Sequence, residues 1–312
     1  MRFALHRLVV ELAGEAEPLR RGWSLIWAGW PPADNQQQPD LSLSLQLVES
    51  LPPLPSPEPY FRDGSGILSV YRGHERETAV LHYLDGAIVT VPLHAAPGPD
   101  RIEGVATEGA LRNGRLEDIT FTSLAPRLRR HGYYLLHAFA VVKEGQAILL
   151  VGPSGSGKTT TGLHLLEQGW QLLANDVVLL EERADGVYAL PSPGAVSIRP
   201  GTLTLLPALA ERLGIVRLPL PHPITISNQQ LNGGQWGEAG RVTAVYFPHF
   251  SDSPQPLAPL PRAIHLAQLM AESIDRWDEA ALPDHIAFLE SLSRQVQAYQ
   301  LPLTHGILPN LA

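Results

Sequence analysis

Apolar residues recur with two different periods in the first 120 residues. Residues 41–48 alternate Leu with Ser or Gln, which is the period of a half-buried strand. In the predicted helix 17–30, Trp23, Trp27 and Trp30 follow at spacings of four and three residues, so we expect them on one buried side. Further short, β-prone segments predict strands at 3–12, 66–71, 78–83 and 87–92. Residues 1–120 are therefore predicted to form a small N-terminal α+β domain of unknown role.

Predicted strands and helices alternate from residue 121 to residue 312. The predicted strands are 135–142, 147–151, 177–180, 187–190, 195–198 and 242–247. The predicted helices are 122–130, 159–168, 203–213, 262–274 and 283–299. Residues 227–241 are rich in Gly, Asn and Gln and are predicted to form a long polar loop. This order is typical of an α/β domain in which helices cover a sheet.

One segment of this second part has a recognisable phosphate-binding pattern. Gly152, four further residues and then Gly157-Lys158-Thr159 match the phosphate-loop motif, between a predicted strand and a predicted helix. Glycines let backbone N–H groups approach anionic oxygens, the lysine reaches the β- and γ-phosphates, and the threonine hydroxyl binds magnesium. We therefore predict an ATP and Mg²⁺ site. Its predicted nucleotide-binding residues in the loop are Gly152, Ser154, Gly155, Ser156, Gly157, Lys158, Thr159 and Thr160.

Composition narrows the classes of function. The chain has 23 Lys and Arg against 31 Asp and Glu, a net charge of −8 that disfavours a nucleic-acid partner. The short basic cluster of Arg127, Arg129 and Arg130 is interpreted as a solvated helix face. There is no cysteine, which excludes disulfides and thiolate catalysis. No segment has the length and apolarity of a membrane span or a signal peptide, so a cytoplasmic location without a membrane partner is expected.

Lys158 is an unusual choice of basic residue for this chain. It is one of two lysines in a chain that otherwise uses arginine, and a compact ammonium suits a phosphate better at this point than a guanidinium. Asp176 is the strongest candidate for the acid that completes the magnesium site, because it follows an apolar segment 18 residues after Lys158. The alternative interpretation is a loop acid that only caps a turn.

Three landmarks resemble HPr kinase/phosphorylase. Residues 168–176, Gln-Gly-Trp-Gln-Leu-Leu-Ala-Asn-Asp, align without a gap with the family's Arg-Gly-His-Arg-Leu-Val-Ala-Asp-Asp segment. His137 lies 15 residues before Gly152, the offset at which the family has a histidine. Residues 197–201 match the family's Glu-Ile-Arg-Gly-Leu-Gly segment in part. The resemblance covers about residues 120–300 and extends to HPr kinase-like proteins found beside peptide-modification genes, whereas residues 1–120 do not resemble the N-terminal domain of HPr kinase.

This resemblance implies a P-loop phosphotransferase that moves the γ-phosphoryl group of ATP to a serine or threonine hydroxyl of a peptide or small protein. It implies a C-terminal domain, 121–312, with a phosphoenolpyruvate-carboxykinase/HPr-kinase-like P-loop fold, and self-association into a homo-oligomer. The implied catalytic residues are Asp176, Lys158 and His137, with His137 at the terminal phosphate. Arg199 is implied to bind the nucleotide or the acceptor.

Two departures from the family pattern leave alternatives open. Asn175 stands where the family has its first aspartate; its amide oxygen can bind magnesium together with Thr159 and Asp176, but it cannot accept a proton. Ser197 replaces the glutamate of the later segment. One alternative is therefore an ATP-binding regulatory or scaffold protein with weakened catalysis. The other is a small-molecule kinase acting on a sugar or an amino acid.

Overall fold

The computed structural model of the chain describes residues 1–34, 36–73, 77–84, 86–93, 100–112, 114–304 and 311. Its contacts divide the chain into two compact units, Met1–His131 and Gly132–Ala312. The domain division predicted at residue 120 falls inside helix α2 (Arg115–Arg130), which contacts strands of the first unit. The chain as a whole is a mixed α/β protein with two large sheets.

The described part of the first unit contains one eight-stranded mixed sheet. Its strand order is β1-β2-β3-β8-β7-β6-β5-β4. The strands are β1 (Arg2–Leu5), β2 (Leu8–Ala13), β3 (Leu41–Leu47), β4 (Phe61–Arg62), β5 (Leu68–Arg72), β6 (Thr78–Tyr83), β7 (Ala87–Pro92) and β8 (Asp100–Ala106). Strand β3 runs parallel to both of its neighbours, whereas the other pairs are antiparallel.

Helix α1 (Glu17–Ile26) ends four residues before the predicted helix 17–30 does, so it carries Trp23, whereas Trp27 and Trp30 follow its end. All three side chains are buried, which confirms the prediction that they belong to the core. The indole N–H of Trp23 donates to the hydroxyl of Thr120 over 3.1 Å, so this polar atom is satisfied inside the core.

Two sequence-based interpretations of this unit are wrong. The single strand predicted at 3–12 is a hairpin of β1 and β2, because the chain turns at His6, whose φ is +56°. The basic cluster on α2 is not a solvated face, since Arg127 and Arg129 are buried. The period of apolar residues does not reveal a tight turn between two apolar strands. It also does not reveal that an arginine side chain is buried together with interacting groups.

The second unit is built around another eight-stranded mixed sheet. Its strands are β9 (Tyr133–Lys143), β10 (Gln146–Val151), β11 (Gln171–Ala174), β12 (Val177–Arg183), β13 (Gly186–Leu190), β16 (Gly240–Phe250), β17 (Ala258–Pro259) and β18 (Gln297–Leu303). Strand β16 runs parallel to β10 and β18, whereas β9 is antiparallel to β10, β11 and β12. A separate two-stranded sheet consists of β14 (Ala195–Ile198) and β15 (Ile224–Ser227).

Helices cover both faces of this sheet, as the alternation of elements predicts. The helices are α3 (Lys158–Glu167), α4 (Thr202–Leu205), α5 (Pro207–Arg212), α6 (Asn228–Asn232), α7 (Arg262–Ala271) and α8 (Leu282–Gln295). One face packs against α7 and α8 through Leu269 and Leu292. The other face packs against α3 and the two-stranded sheet through Leu163 and Val196. None of the described helices is both long and apolar enough to span a membrane.

Three predicted elements of this unit differ from the structure. The helix predicted at 283–299 ends at Gln295, and Gln297 begins β18, which pairs with β16 and buries Ala298, Leu301 and Leu303. The helix predicted at 203–213 is two short helices, because Pro207 starts the second of them. The predicted polar loop 227–241 contains α6, whose N-terminus is capped by Ser227 and Gln230.

Candidate functional site

The phosphate-loop motif lies between the end of β10 and the start of α3. Gly155 and Gly157 have φ values of +88° and +103°, a region that favours glycine. A Cβ atom on Gly157 would also lie 2.3 Å from Cδ1 of Leu303, so a larger residue does not fit there. Because the first N–H groups of α3 have no intrahelical acceptor, this loop presents donors and a positive helix end to an anion.

Lys158 is buried at the start of α3. Its ammonium donates to the carbonyl of Gly152 over 2.5 Å and to that of Pro153 over 3.2 Å. Burial lowers the pKa of Lys158, against the charges of Asp176 and Glu272, which raise it. The lysine is therefore held by its own loop and lies within electrostatic range of two carboxylates.

Strand β9 brings His137 and Asp176 to the same place. Ala138 of β9 pairs with Val151, the last residue before the loop, and His137 pairs with Val177, the first residue of β12. Asp176 precedes β12, and its carboxylate Oδ1 lies 3.2 Å from Nε2 of His137. The structure thus brings together two residues that are 39 positions apart in the chain.

A second carboxylate, from Glu272, completes this group. Its Oε2 lies 2.8 Å from Nδ1 of His137, and its main-chain carbonyl accepts the backbone N–H of His137 over 2.9 Å. Glu272 follows the end of α7 and is 135 positions away from His137 in sequence. Sequence reasoning missed this residue because no motif surrounds it and only the docking of α7 places it here.

The two carboxylates favour the charged form of His137. Burial acts to lower the pKa of His137, but the hydrogen bonds with Asp176 and Glu272 outweigh it and raise the pKa to about 9. Burial acts to raise the pKa of Asp176, but the hydrogen bond from His137 and the charges of His137 and Lys158 lower it overall. Near neutral pH, both ring nitrogens of His137 therefore carry protons and donate to carboxylates.

In metal-free buffer, we expect the free energy of unfolding to decrease as the pH rises from 6.5 to about 9. His137 binds its proton more tightly in the folded chain, with a pKa of about 9 against an ordinary value of 6.5. Its contribution is therefore complete below 6.5 and is lost as the pH rises through 9. Because the side chain is 30% exposed, we expect a loss of about 1–2 kcal/mol. Urea unfolding at several pH values measures it, and the same decrease in His137→Gln would contradict this assignment.

Asn175, the residue before Asp176, is buried, and only one of its two side-chain polar atoms has a hydrogen-bond partner among the described residues. Its side-chain N–H donates to the carbonyl of Ala195 over 3.0 Å, and its Oδ1 has no hydrogen-bond partner among the described residues. No cluster of three or more His, Asp or Glu side chains in the described part of the chain forms a ready metal site. Mg²⁺ usually keeps several waters and takes one or two carboxylates together with phosphate oxygens. The orphaned Oδ1, with Asp176 and the hydroxyl of Thr159, fits such an ion.

We expect Asn175→Asp to lower the free energy of unfolding by about 2 kcal/mol or more. Aspartate lacks the N–H that Ala195 accepts, and it places a buried carboxylate against that carbonyl. Urea unfolding of Asn232→Asp is the matched control, because Asn232 donates to the carbonyl of Gln235 in an exposed hydrogen bond. Equal losses in the two variants would contradict the assignment of Asn175 to a buried structural hydrogen bond.

Two comparisons with known proteins agree on one family name. The chain is 36% identical over 110 residues to the HPr kinase/phosphorylase of Clostridium novyi (strain NT), a match that covers 34% of each protein. It is 41% identical over 63 residues to the HPr kinase/phosphorylase of Leptospira biflexa serovar Patoc, which is 20% of this chain and 18% of the relative. Over these stretches the chain is HPr kinase-like. It spans about a third or less of the curated relatives it matches.

Comparisons with family models and with solved structures give less information about the family. No family model matches the chain. Among solved structures, the Hpr(Ser) kinase/phosphatase from Coxiella burnetii is similar at 15% identity and a TM-score of 0.32, over 55% of this chain and 81% of that one. This structural similarity is too low to support a conclusion about fold or function.

The HPr kinase-like landmarks lie around the phosphate loop. Besides His137 and Asp176, Arg199 contacts the loop: its Nη2 donates to the hydroxyl of Ser154 over 3.1 Å. Gly155 faces the same guanidinium, since a Cβ there would lie 3.2 Å from Nη1. The remaining predicted nucleotide ligands are in the loop itself or in the first turn of α3. Of these, Thr160 contacts the hydroxyl of Thr202 over 2.9 Å, and Ser156 is buried with no hydrogen-bond partner for its hydroxyl in the described residues.

Proposed function

We propose that this protein is an ATP- and magnesium-dependent kinase that transfers the γ-phosphoryl group to a serine or threonine hydroxyl of a peptide or small protein. One observation carries the proposal: Lys158 of the phosphate loop, His137 and Asp176 converge at one end of the sheet, within hydrogen-bonding or electrostatic range of each other. The HPr kinase/phosphorylase relatives support the same class of enzyme.

The proposed reaction assigns a role to each of these residues. The loop N–H groups and Lys158 bind the phosphates and stabilise the charge that develops on the transferring group. The hydroxyl oxygen of the acceptor forms the new bond to the γ-phosphorus while the bond to the β,γ-bridging oxygen breaks and ADP leaves. Asp176 takes the proton of that hydroxyl, and the cationic His137 adds positive charge at the terminal phosphate.

The magnesium ion and Arg199 complete the proposed site. Thr159, Asp176 and Asn175 would hold the ion, which neutralises phosphate charge when bound. Arg199 is positioned beside Ser154 to bind the nucleotide or the acceptor. As part of the proposal, the unit Gly132–Ala312, predicted from the sequence as residues 121–312, is a phosphoenolpyruvate-carboxykinase/HPr-kinase-like catalytic domain, and the unit Met1–His131, predicted as residues 1–120, is an α+β domain. We also propose a cytoplasmic location, self-association, and neither a nucleic-acid nor a membrane partner.

The direct test is an acceptor screen with the full chain, ATP and Mg²⁺. Mass spectrometry should detect a gain of about 80 Da on a peptide or small protein that contains serine or threonine, with one ADP released for each transfer. Label on free sugars or amino acids instead would identify a small-molecule kinase. ATP binding without ADP release or labelling, across peptides and small hydroxyl compounds, would contradict a kinase of either kind.

A regulatory or scaffold protein is the second candidate. One observation favours it: Asn175, in place of the family's first aspartate, is buried and committed to Ala195. The residue before Asp176 in the chain is therefore not a carboxylate, and Asp176 alone of the two could act as the base. Tight binding of ATP and Mg²⁺ in calorimetry, without turnover, is the result expected for this candidate.

A further inference from the structure

Glu272 is bound to His137 in two ways. The main-chain carbonyl of Glu272 accepts the backbone N–H of His137, and the neighbouring pair Leu136 and Ser273 forms a β-bridge. Because this bridge fixes the backbone, the side chain of Glu272 reaches Nδ1 of His137 without needing a long or flexible loop. The carboxylate is 15% exposed and its oxygen lies 2.8 Å from that nitrogen.

The two nitrogens of an imidazole ring are not equivalent once one of them is bound. A partner on Nδ1 fixes the rotation of the ring and the direction of Nε2. Here Nε2 points at Asp176, 3.2 Å away, and the next residue of β9, Ala138, pairs with Val151, which precedes the phosphate loop. Without Glu272, the only side chain holding the ring in this group would be Asp176, which the proposed reaction also needs for the acceptor proton or the metal ion.

We propose that Glu272 is a positioning residue: it holds Nδ1 of His137 and so keeps Nε2 directed at Asp176 and at the terminal phosphate of the bound nucleotide. This inference rests on the proposed function, because it assumes that a nucleotide occupies the loop. It gives the site a second carboxylate, from the end of α7 rather than from the position beside Asp176. Glu272 acts through His137 and touches neither the phosphate nor the acceptor.

The consequence is specific to the γ-phosphate. ADP lacks the group that His137 faces, so loss of Glu272 should leave the affinity for ADP unchanged. A non-hydrolysable ATP analogue carries that group, so its affinity should decrease. The ratio of the dissociation constant of ADP to that of the analogue, here named the γ-phosphate ratio, therefore reports the position of His137 without requiring turnover.

Calorimetry with ADP and the analogue, each with Mg²⁺, tests the proposal on the full chain. We expect Glu272→Ala to lower the γ-phosphate ratio about tenfold, to the value of His137→Ala, with unchanged affinity for ADP. Glu272→Gln should stay within about twofold of wild type, because its amide oxygen still accepts the N–H of Nδ1. The double variant, with both residues changed to alanine, should match His137→Ala alone. Glu290→Ala is the control, since Glu290 lies on α8 and pairs with Arg294 at the surface.

Several results would overturn the proposal. One is a wild-type γ-phosphate ratio in Glu272→Ala; another is a further decrease when Glu272→Ala is added to His137→Ala. A parallel loss of ADP affinity would show a structural role instead. If the wild-type chain binds the analogue more tightly than ADP but transfers no phosphate, the kinase proposal is wrong. The positioning role of Glu272 is then decided by the γ-phosphate ratios of the variants. If it binds neither nucleotide, both fail.

Discussion

Replacing Lys158 with methionine should lower kcat/KM for phosphoryl transfer by about 10²–10³-fold. The ammonium is the group that the loop offers to the β- and γ-phosphates, and methionine fills a similar volume without the charge. Lys158 donates to the carbonyls of Gly152 and Pro153, which hold the ammonium in the loop. Methionine keeps neither these hydrogen bonds nor the positive charge that attracts phosphate oxygens. Transfer rates with ATP and Mg²⁺, measured beside thermal unfolding to confirm that the variant is folded, give the result.

Lys143→Met is the matched control. Lys143 is the other lysine of the chain, and it donates to the carbonyl of Gln168 in an exposed hydrogen bond. We expect its activity to stay within about twofold of wild type, as for most surface substitutions. Equal activity of Lys158→Met and Lys143→Met would show that the ammonium of Lys158 does not act on the transferring phosphate. That result would contradict the kinase proposal.

The second large effect is expected for Asp176→Asn. Asparagine keeps the shape and an oxygen that accepts from Nε2 of His137, but it cannot take a proton from an acceptor hydroxyl. We expect kcat to decrease by about 10²–10⁴-fold, the usual contribution of a general base. Nucleotide affinity measured without Mg²⁺ should change by no more than a few fold, because the phosphate ligands are elsewhere. Single-turnover rates with saturating ATP separate the chemical step from binding.

The magnesium dependence of the same variant separates the two roles proposed for Asp176. A weaker affinity for Mg²⁺ would indicate a metal ligand, whereas an unchanged affinity with a large loss of kcat would indicate the base. Asp185→Asn is the control, because Asp185 is an exposed acid on the turn after β12 that accepts from the hydroxyl of Tyr188. Near wild-type transfer by Asp176→Asn would rule out a catalytic proton transfer to this residue.

Local chemistry made most of the phosphate loop predictable. The glycines, the lysine and the flanking strand and helix depend on residues close in sequence, and the structure places β10 and α3 where the pattern predicts them. The burial of Trp23, Trp27 and Trp30 was predictable from their helical spacing, although the helix ends at Ile26 and only Trp23 lies on it. The adjacency of His137 and Asp176 was expected only from the spacing of a resembling family, and the register of β9 accounts for it.

Elements whose formation depends on distant partners were not predictable in this way. Residues 297–299 were predicted as the end of helix 283–299, yet they begin β18, which pairs in parallel with β16. The buried arginines of α2 carry charge, which favours a solvated face in any sequence-based reading, and the structure buries them. In both cases the local structure or burial depends on packing against residues that are distant in sequence.

The sequence by itself determined that the chain carries a phosphate-loop motif between a strand and a helix, because that pattern depends on about 30 consecutive positions. Only the tertiary structure decided which carboxylates reach His137. Asn175, the residue next to Asp176, donates its side-chain N–H to the carbonyl of Ala195, whereas Glu272, at the end of α7, contacts His137. The physical reason is that side-chain direction and helix docking are set by packing across the whole unit, which no local pattern encodes.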